Sequence, residues 1–263
     1  MKRALSLVAL ATVLAACVGT TGSDIVSFSA YGAGVADGGS EGLAFTNGLG
    51  WDVTLTRAKL HVGAMYLNRS VPVSGGQERE CFLPGVYVAE VLAGRDIDVL
   101  SSRPQPFPVK GSGTADRAAT GEVWLTGARV DALEDRTAIA DVAGTVRRDG
   151  KVFRFEATVT IGSNRTSAAT DPARPGANPL CSQRIVTPIL VDVTPSDGGA
   201  LVLRVDPRAW FDNVDFGELD PVTAGSDLLR FPDETTGQPA TNFYRGLRAS
   251  SGVYTFQWLA SPP

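Results

Sequence analysis

Runs of alternating apolar and polar residues dominate this chain, glycine and proline interrupt them throughout, and apolar stripes at helical spacing are scarce. A period of two is the mark of half-buried strands, and frequent turn residues keep them short. In "DIVSFSAYG", Val26, Phe28 and Ala30 share one face; "GLAFTNG" reads as a second strand ended by an Asn-Gly turn. In "WDVTLTRAKLHVGAMYLN", Val53 and Leu55 point one way, whereas Ala58, Leu60, Val62, Ala64 and Tyr66 lie on the other parity. A change of parity inside a strand needs a bulge, here expected near Thr56–Arg57, and so long a strand is expected to cross between two packed sheets.

Further strands follow in "GVYVAEVL", "ATGEVWLTGARV" and the flanks of Asp149-Gly150, a two-residue hairpin turn with Phe153, Phe155, Ala157, Val159 and Ile161 on the core face after it. "RPQPFPVKGSG" is expected to be extended and at best an edge. "RIVTPILVDV" and "GALVLRVD" are expected to form a second hairpin around "TPSDGG", and Pro207 to open one helical turn in "PRAWFDN". "GVYTFQWLA" closes the chain as a strand, with Tyr254, Phe256 and Trp258 on one face. Ten or eleven short strands with little helix predict an all-β fold, an antiparallel β-sandwich with long polar loops. Strand spacing is too uneven for a lipid-facing barrel. The body is expected over residues 24–263, with a possible seam near 102–118 between two subdomains.

Charge narrows the function. Lys and Arg number 24 and Asp and Glu 28, a formal net charge of −4, with no basic block. That balance argues against nucleic acid as a partner.

The first residues change the picture most. Lys2 and Arg3 precede an uncharged run from Ala4 to Ala16. As a helix it covers roughly 20 Å, short of the ~30 Å hydrocarbon core, so it reads as a signal peptide (residues 1–16) rather than a span. It ends in Leu14, Ala15, Ala16 and Cys17. This resembles the lipobox of bacterial lipoproteins, and the resemblance covers residues 1–17 only. It implies cleavage before Cys17, acylation there, and export to the cell envelope. Val18 stands where an inner-membrane lipoprotein of that family usually has aspartate, so the resemblance implies the outer membrane. Several acyl chains anchor stably where one binds only marginally. Residues 17–23 then form a polar tether.

With Cys17 acylated, Cys81 and Cys181 remain for an oxidising compartment, where a leftover pair usually bonds. A bridge closing about 100 residues is worth ~3–5 kcal/mol by loop entropy, and it would span the 102–118 seam.

Catalytic chemistry is sparse. His61 is the sole histidine and no Gly-x-Ser-x-Gly elbow occurs. His61 and Met65 share strand parity, and imidazole with thioether suits copper, although Lys59 on the same face opposes it. Asp212, Asp215, Glu218 and Asp220 cluster as calcium ligands do, without the spacing of an EF-hand loop. Trp51, Trp124, Trp210 and Trp258 are sugar-stacking candidates that read better as core. Asn68 and Asn164 begin Asn-x-Ser/Thr triplets read as chance. The sequence thus predicts a lipid-anchored, non-catalytic module for an envelope protein or polymer. A copper- or calcium-handling protein and a carbohydrate-binding or carbohydrate-active protein are its alternatives. The long loops 163–180 and 217–242 are the expected contact regions.

Overall fold

The computed structural model describes residues 23–39, 41–70, 86–165 and 179–263. The expected signal peptide, Cys17, Cys81 and most of the expected 163–180 loop lie outside the described residues. Strands make up 45% and helices 12%, which settles the class as all-β.

Among the described residues the chain forms β1 (Ile25–Gly34), β2 (Leu43–Thr46), β3 (Asp52–Val62), β4 (Ala64–Asn68), β5 (Tyr87–Val91) and β6 (Arg95–Asp98). Next come β7 (Gln105–Pro106), β8 (Gly111–Thr114), β9 (Ala118–Trp124), β10 (Ala140–Arg148) and β11 (Lys151–Val159). The short helix α1 (Leu180–Arg184) leads into β12 (Ile185–Val193), followed by β13 (Ala200–Val205), β14 (Leu228–Arg230), α2 (Gln238–Leu247) and β15 (Tyr254–Leu259). Among the described residues no helix is long and apolar enough to cross a membrane.

Two sheets pack as a sandwich that approaches a barrel. The larger has the order β12-β9-β4-β5-β8-β1-β13-β15, with β7 added beside β1; the smaller runs β14-β11-β10-β3-β2, with β6 beside β3. The pairings β1–β13 and β11–β14 are parallel, so both sheets are mixed rather than purely antiparallel. The larger sheet curls until its two ends meet: a Cβ on Gly121 of β9 would lie 2.4 Å from the Phe256 ring of β15.

The long third run behaves as its parity predicts. The β3–β10 register shifts between Leu55 and Arg57, leaving Thr56 as the extra residue. Val53 and Leu55 are buried before the bulge and Ala58, Leu60 and Val62 after it. At Gly63 the chain leaves the smaller sheet and enters the larger one as β4, the expected crossing. A second change of face occurs there, which the sequence reading lacked: Met65 and Leu67 turn inward and Tyr66 outward.

Asp149 and Gly150 both adopt positive φ, 53° and 75°, as a two-residue turn matching strand twist requires. The β2–β3 turn is longer than Asn-Gly alone, since Thr46 pairs with Asp52. Asn47 holds it by accepting from the amides of Leu49 and Trp51 and donating to the carbonyls of Phe211 and Val214. Pro207 opens a 3-10 turn capped by Asp206.

Three expectations fail, the first being the edge expected of "RPQPFPVKGSG", whose Gly111–Gly113 lie in β8, inside the larger sheet between β5 and β1. β12 and β13 are not a hairpin: β12 pairs with β9, and β13 inserts between β1 and β15. The 217–242 stretch is not an open loop either. It holds β14 and leads into α2, whose Ala240, Phe243, Tyr244 and Leu247 form one buried stripe at helical spacing.

Phe155, Phe211, Phe216, Phe231 and Phe243 clamp α2 and the 3-10 turn onto the smaller sheet, with ring centroids 4.9 Å apart for Phe211–Phe243 and 5.1 Å for Phe155–Phe216. Phe211→Ala is expected to cost about 3–5 kcal/mol, read from the urea midpoint. Phe45→Ala, on the half-buried rim of the same cluster, should cost clearly less.

Candidate functional site

The metal candidates do not converge. His61 is partly buried at the end of β3, with Nδ1 2.7 Å from Asp96 Oδ1. Met65 is 0% exposed and belongs to the core, because the turn of face at Gly63 directs it away from the imidazole side. Asp215 is spent on structure: Oδ1 accepts from the Trp51 indole at 3.0 Å and the Gly217 amide at 3.0 Å, and Arg148 stands 3.5 Å away. Asp212 and Glu218 are exposed on either side of it. Among the described residues no three His, Cys, Asp or Glu side chains form a group suited to a metal ion.

Both Asn-x-Ser/Thr asparagines are engaged. The Asn164 amide donates to Thr160 Oγ1 and the Asp233 carbonyl, and Asn68 is fully buried and donates to Glu122. Cys181 is 2% exposed in α1; its expected partner Cys81 lies outside the described residues. Trp51 and Trp210 are core as expected, and Trp258 packs edge-on against Phe28. Trp124, also read as core, instead stands half-exposed on the outer face of the larger sheet.

Two cavities lined by described residues bear on function. The larger, about 510 Å³, lies between the 3-10 turn and α2. Its amides are already used, since Gln238 and Asn242 both donate to the Asn213 carbonyl at 2.7 Å. It is a polar joint between two elements.

The smaller, about 310 Å³, opens where β3 passes into β4. His61, Tyr66, Trp124, Thr126, Gly127 and Arg129 are among the residues lining it. Cross-strand pairing builds its wall: Ala64 faces Trp124, Tyr66 faces Glu122, and Asn68 faces Thr120. Tyr66 lies between Trp124 at 4.8 Å and Tyr87 at 4.9 Å, centroid to centroid, so three aromatic rings form a row leading into the recess. Beneath the row Glu122, 0% exposed, accepts from the Trp124 indole at 3.0 Å and from Asn68 at 2.9 Å. Burial raises the Glu122 carboxyl above its ordinary range against the pull of those two bonds. Burial, aided by nearby carboxylates, also pushes the Tyr87 phenol up to about 12, so it stays neutral.

No protein-family model, curated protein or solved structure matches this chain. The site is therefore argued from its own geometry.

The rim opposite the aromatic row is fastened from behind. Asp135 Oδ2 accepts from Thr126 Oγ1 at 2.9 Å and the Gly127 amide at 3.0 Å, and Oδ1 from the Thr137 amide at 3.0 Å. Arg184, fully buried, donates to the carbonyls of Ile161, Arg129 and Val130. The sequence carried a signal for the wall, because Thr120, Glu122 and Trp124 share one strand parity and an ionisable group there marks an outer face. The rim was not legible, since it depends on partners distant in the chain.

Burial raises Asp135, but hydrogen bonds from Thr137, Thr126 and Gly127 outweigh it and hold the carboxyl at about 2, below 3.8. A depressed folded-state pKa adds stability that is present above the ordinary carboxylate value and lost as pH falls towards 2. Asp135→Asn is expected to lower the urea midpoint at pH 7 and to flatten, though not abolish, its fall between pH 4 and pH 2.

Proposed function

We propose that this chain is an exported lipoprotein, anchored through an acylated Cys17 to the outer membrane, whose all-β body is a non-catalytic binding module for an envelope component. The single observation that carries the binding role is the row Tyr87–Tyr66–Trp124 running into a recess fastened from behind. Ligand sites are concave and mainly apolar or aromatic, with a few placed polar groups, and start near ~300 Å³. Binding is favoured over acyl transfer because the aliphatic hydroxyl in the lining, Thr126 Oγ1, is engaged by Asp135 and by the Ala128 backbone.

The anchor rests on Leu14–Cys17 and on a short leash: Ser23, six residues after Cys17, already hydrogen-bonds Asp116 at 2.6 Å. A Cys81–Cys181 bridge belongs to the same reading, supported by a Cys181 sulfur that is buried and not a free thiol.

Cell fractionation tests the anchor. Wild-type protein should sediment with membranes and take up labelled fatty acid, whereas Cys17→Ser should appear in the soluble fraction unlabelled; equal membrane retention defeats the anchor. A photo-crosslinking residue at Tyr87 should trap an envelope component in intact cells, and one at Val152, exposed on the smaller sheet, should not. Capture that fails at Tyr87, or is equal at both, defeats the binding module.

A further inference from the structure

Resting on that reading, we infer that the recess and its aromatic row bind a saccharide, with Trp124 and Tyr66 as the stacking surfaces and His61 as a hydroxyl acceptor. Three features point to this ligand chemistry together.

The first is the presentation of the rings. Trp124 and Tyr66 are partly buried on the outer face of the larger sheet, their rings tilted by 44° to one another, and the Trp124 indole is locked by its bond to Glu122. Aromatic faces carry negative electrostatic potential. The C–H groups on one side of a sugar ring are weakly positive, so they complement such a face. An indole held by a carboxylate cannot swing away, which lowers the ordering cost of binding.

The second is the hydrogen-bonding set at the end of the row. Asp96 Oδ1 takes the Nδ1 side of His61 at 2.7 Å, so the neutral imidazole presents Nε2 as its acceptor. Gly94 keeps that nitrogen open, since a Cβ there would stand 3.0 Å from Nε2. The Arg129 guanidinium, in the lining and largely exposed although it also pairs with Asp131, adds a donor. A hydroxyl-rich ring both donates and accepts; an apolar helix would leave these groups unpaired at a cost.

The third is size and charge. A recess of about 310 Å³ takes a short saccharide end rather than a folded domain. Burial raises the Tyr66 and Tyr87 phenols first and the charges of Glu122 and Glu90 raise them further, so carboxylates stand close to the row and disfavour an anionic ligand there.

The test is isothermal titration of the full-length chain in detergent with chitotetraose, cellotetraose, maltotetraose and mannotetraose. At least one should bind saturably. Trp124→Ala and Tyr66→Ala should each weaken it by about tenfold or more, the factor equal to ~1.4 kcal/mol, and His61→Ala by a smaller factor. Trp258→Phe, outside the recess, should bind as wild type. Thermal unfolding monitors folding of every variant; should Trp124→Ala not fold, Tyr66→Ala and His61→Ala decide. Saturable binding lost in these variants supports the inference. Absence of binding to all four sugars, or binding indifferent to the variants, overturns it. If the Tyr87 crosslink traps only polypeptide, the binding module stands and the saccharide falls.

Discussion

The arrangement depends on one close approach. Gly63 lies so near the strand end beyond β9 that a Cβ on it would sit 1.9 Å from the Thr126 carbonyl oxygen. Its amide donates to the Trp124 carbonyl at 2.8 Å. Only a residue without a side chain can stand there, and there the chain passes from one sheet to the other. The crossing puts His61, the end of the smaller sheet, and Tyr66, the start of the larger, on two sides of one recess. Had the run continued straight, Tyr66 would have pointed into the core.

The recess is supported by charges that would be costly alone. Arg184 is fully buried, and its carbonyl partners leave the guanidinium satisfied by dipoles rather than by a direct ion pair. Burial lowers its pKa, and the attraction of Asp135 is the first opposing influence. Asp135 in turn grips Thr126 and Gly127, while Arg184 grips Arg129 and Val130. The rim segment 126–130 is thus pinned at both ends to groups that cannot move without exposing a buried charge. A recess held this way meets a ligand preorganised, and loses less entropy on binding.

How much of this was written locally explains what could be read. The Thr56 bulge, the Asp149-Gly150 turn and Pro207 are decided within a few residues by parity, positive φ or the missing proline N–H, and each was legible. The β12–β13 pairing was not. Both runs alternate and a turn separates them, but pairing is chosen by what covers each face, and β13 lies between β1 and β15. Helix α2 was hidden because a polar window ending at 242 cuts across its stripe, leaving Ala240 on one side and Phe243 on the other. Met65 was placed beside His61 because a single glycine, ordinary in a strand pattern, reversed the parity. Of the site residues Tyr66 shares that cause, reading as core until the reversal at Gly63 is known, whereas Trp124 reads as core because a tryptophan on an alternating strand more often faces the interior.

The same crossing sets how the recess would be displayed. Strand β4 spans five residues, roughly 17 Å at ~3.4 Å each. At one end Ala64 and Tyr66 line the recess. Just past the other end Arg69 pairs with Asp116, which also receives Ser23 at the close of the proposed leash. Ser23 and the recess therefore lie at opposite ends of one strand, with Tyr87, beside Asn68, marking the near end of the aromatic row and Trp124 the far end. Under the proposed anchoring, a short leash joined at the Asp116 end would turn the recess away from the membrane, and the row would run outward along the body. A partner that is extended and anchored elsewhere in the envelope would meet the open recess first and the aromatic faces along its length afterwards.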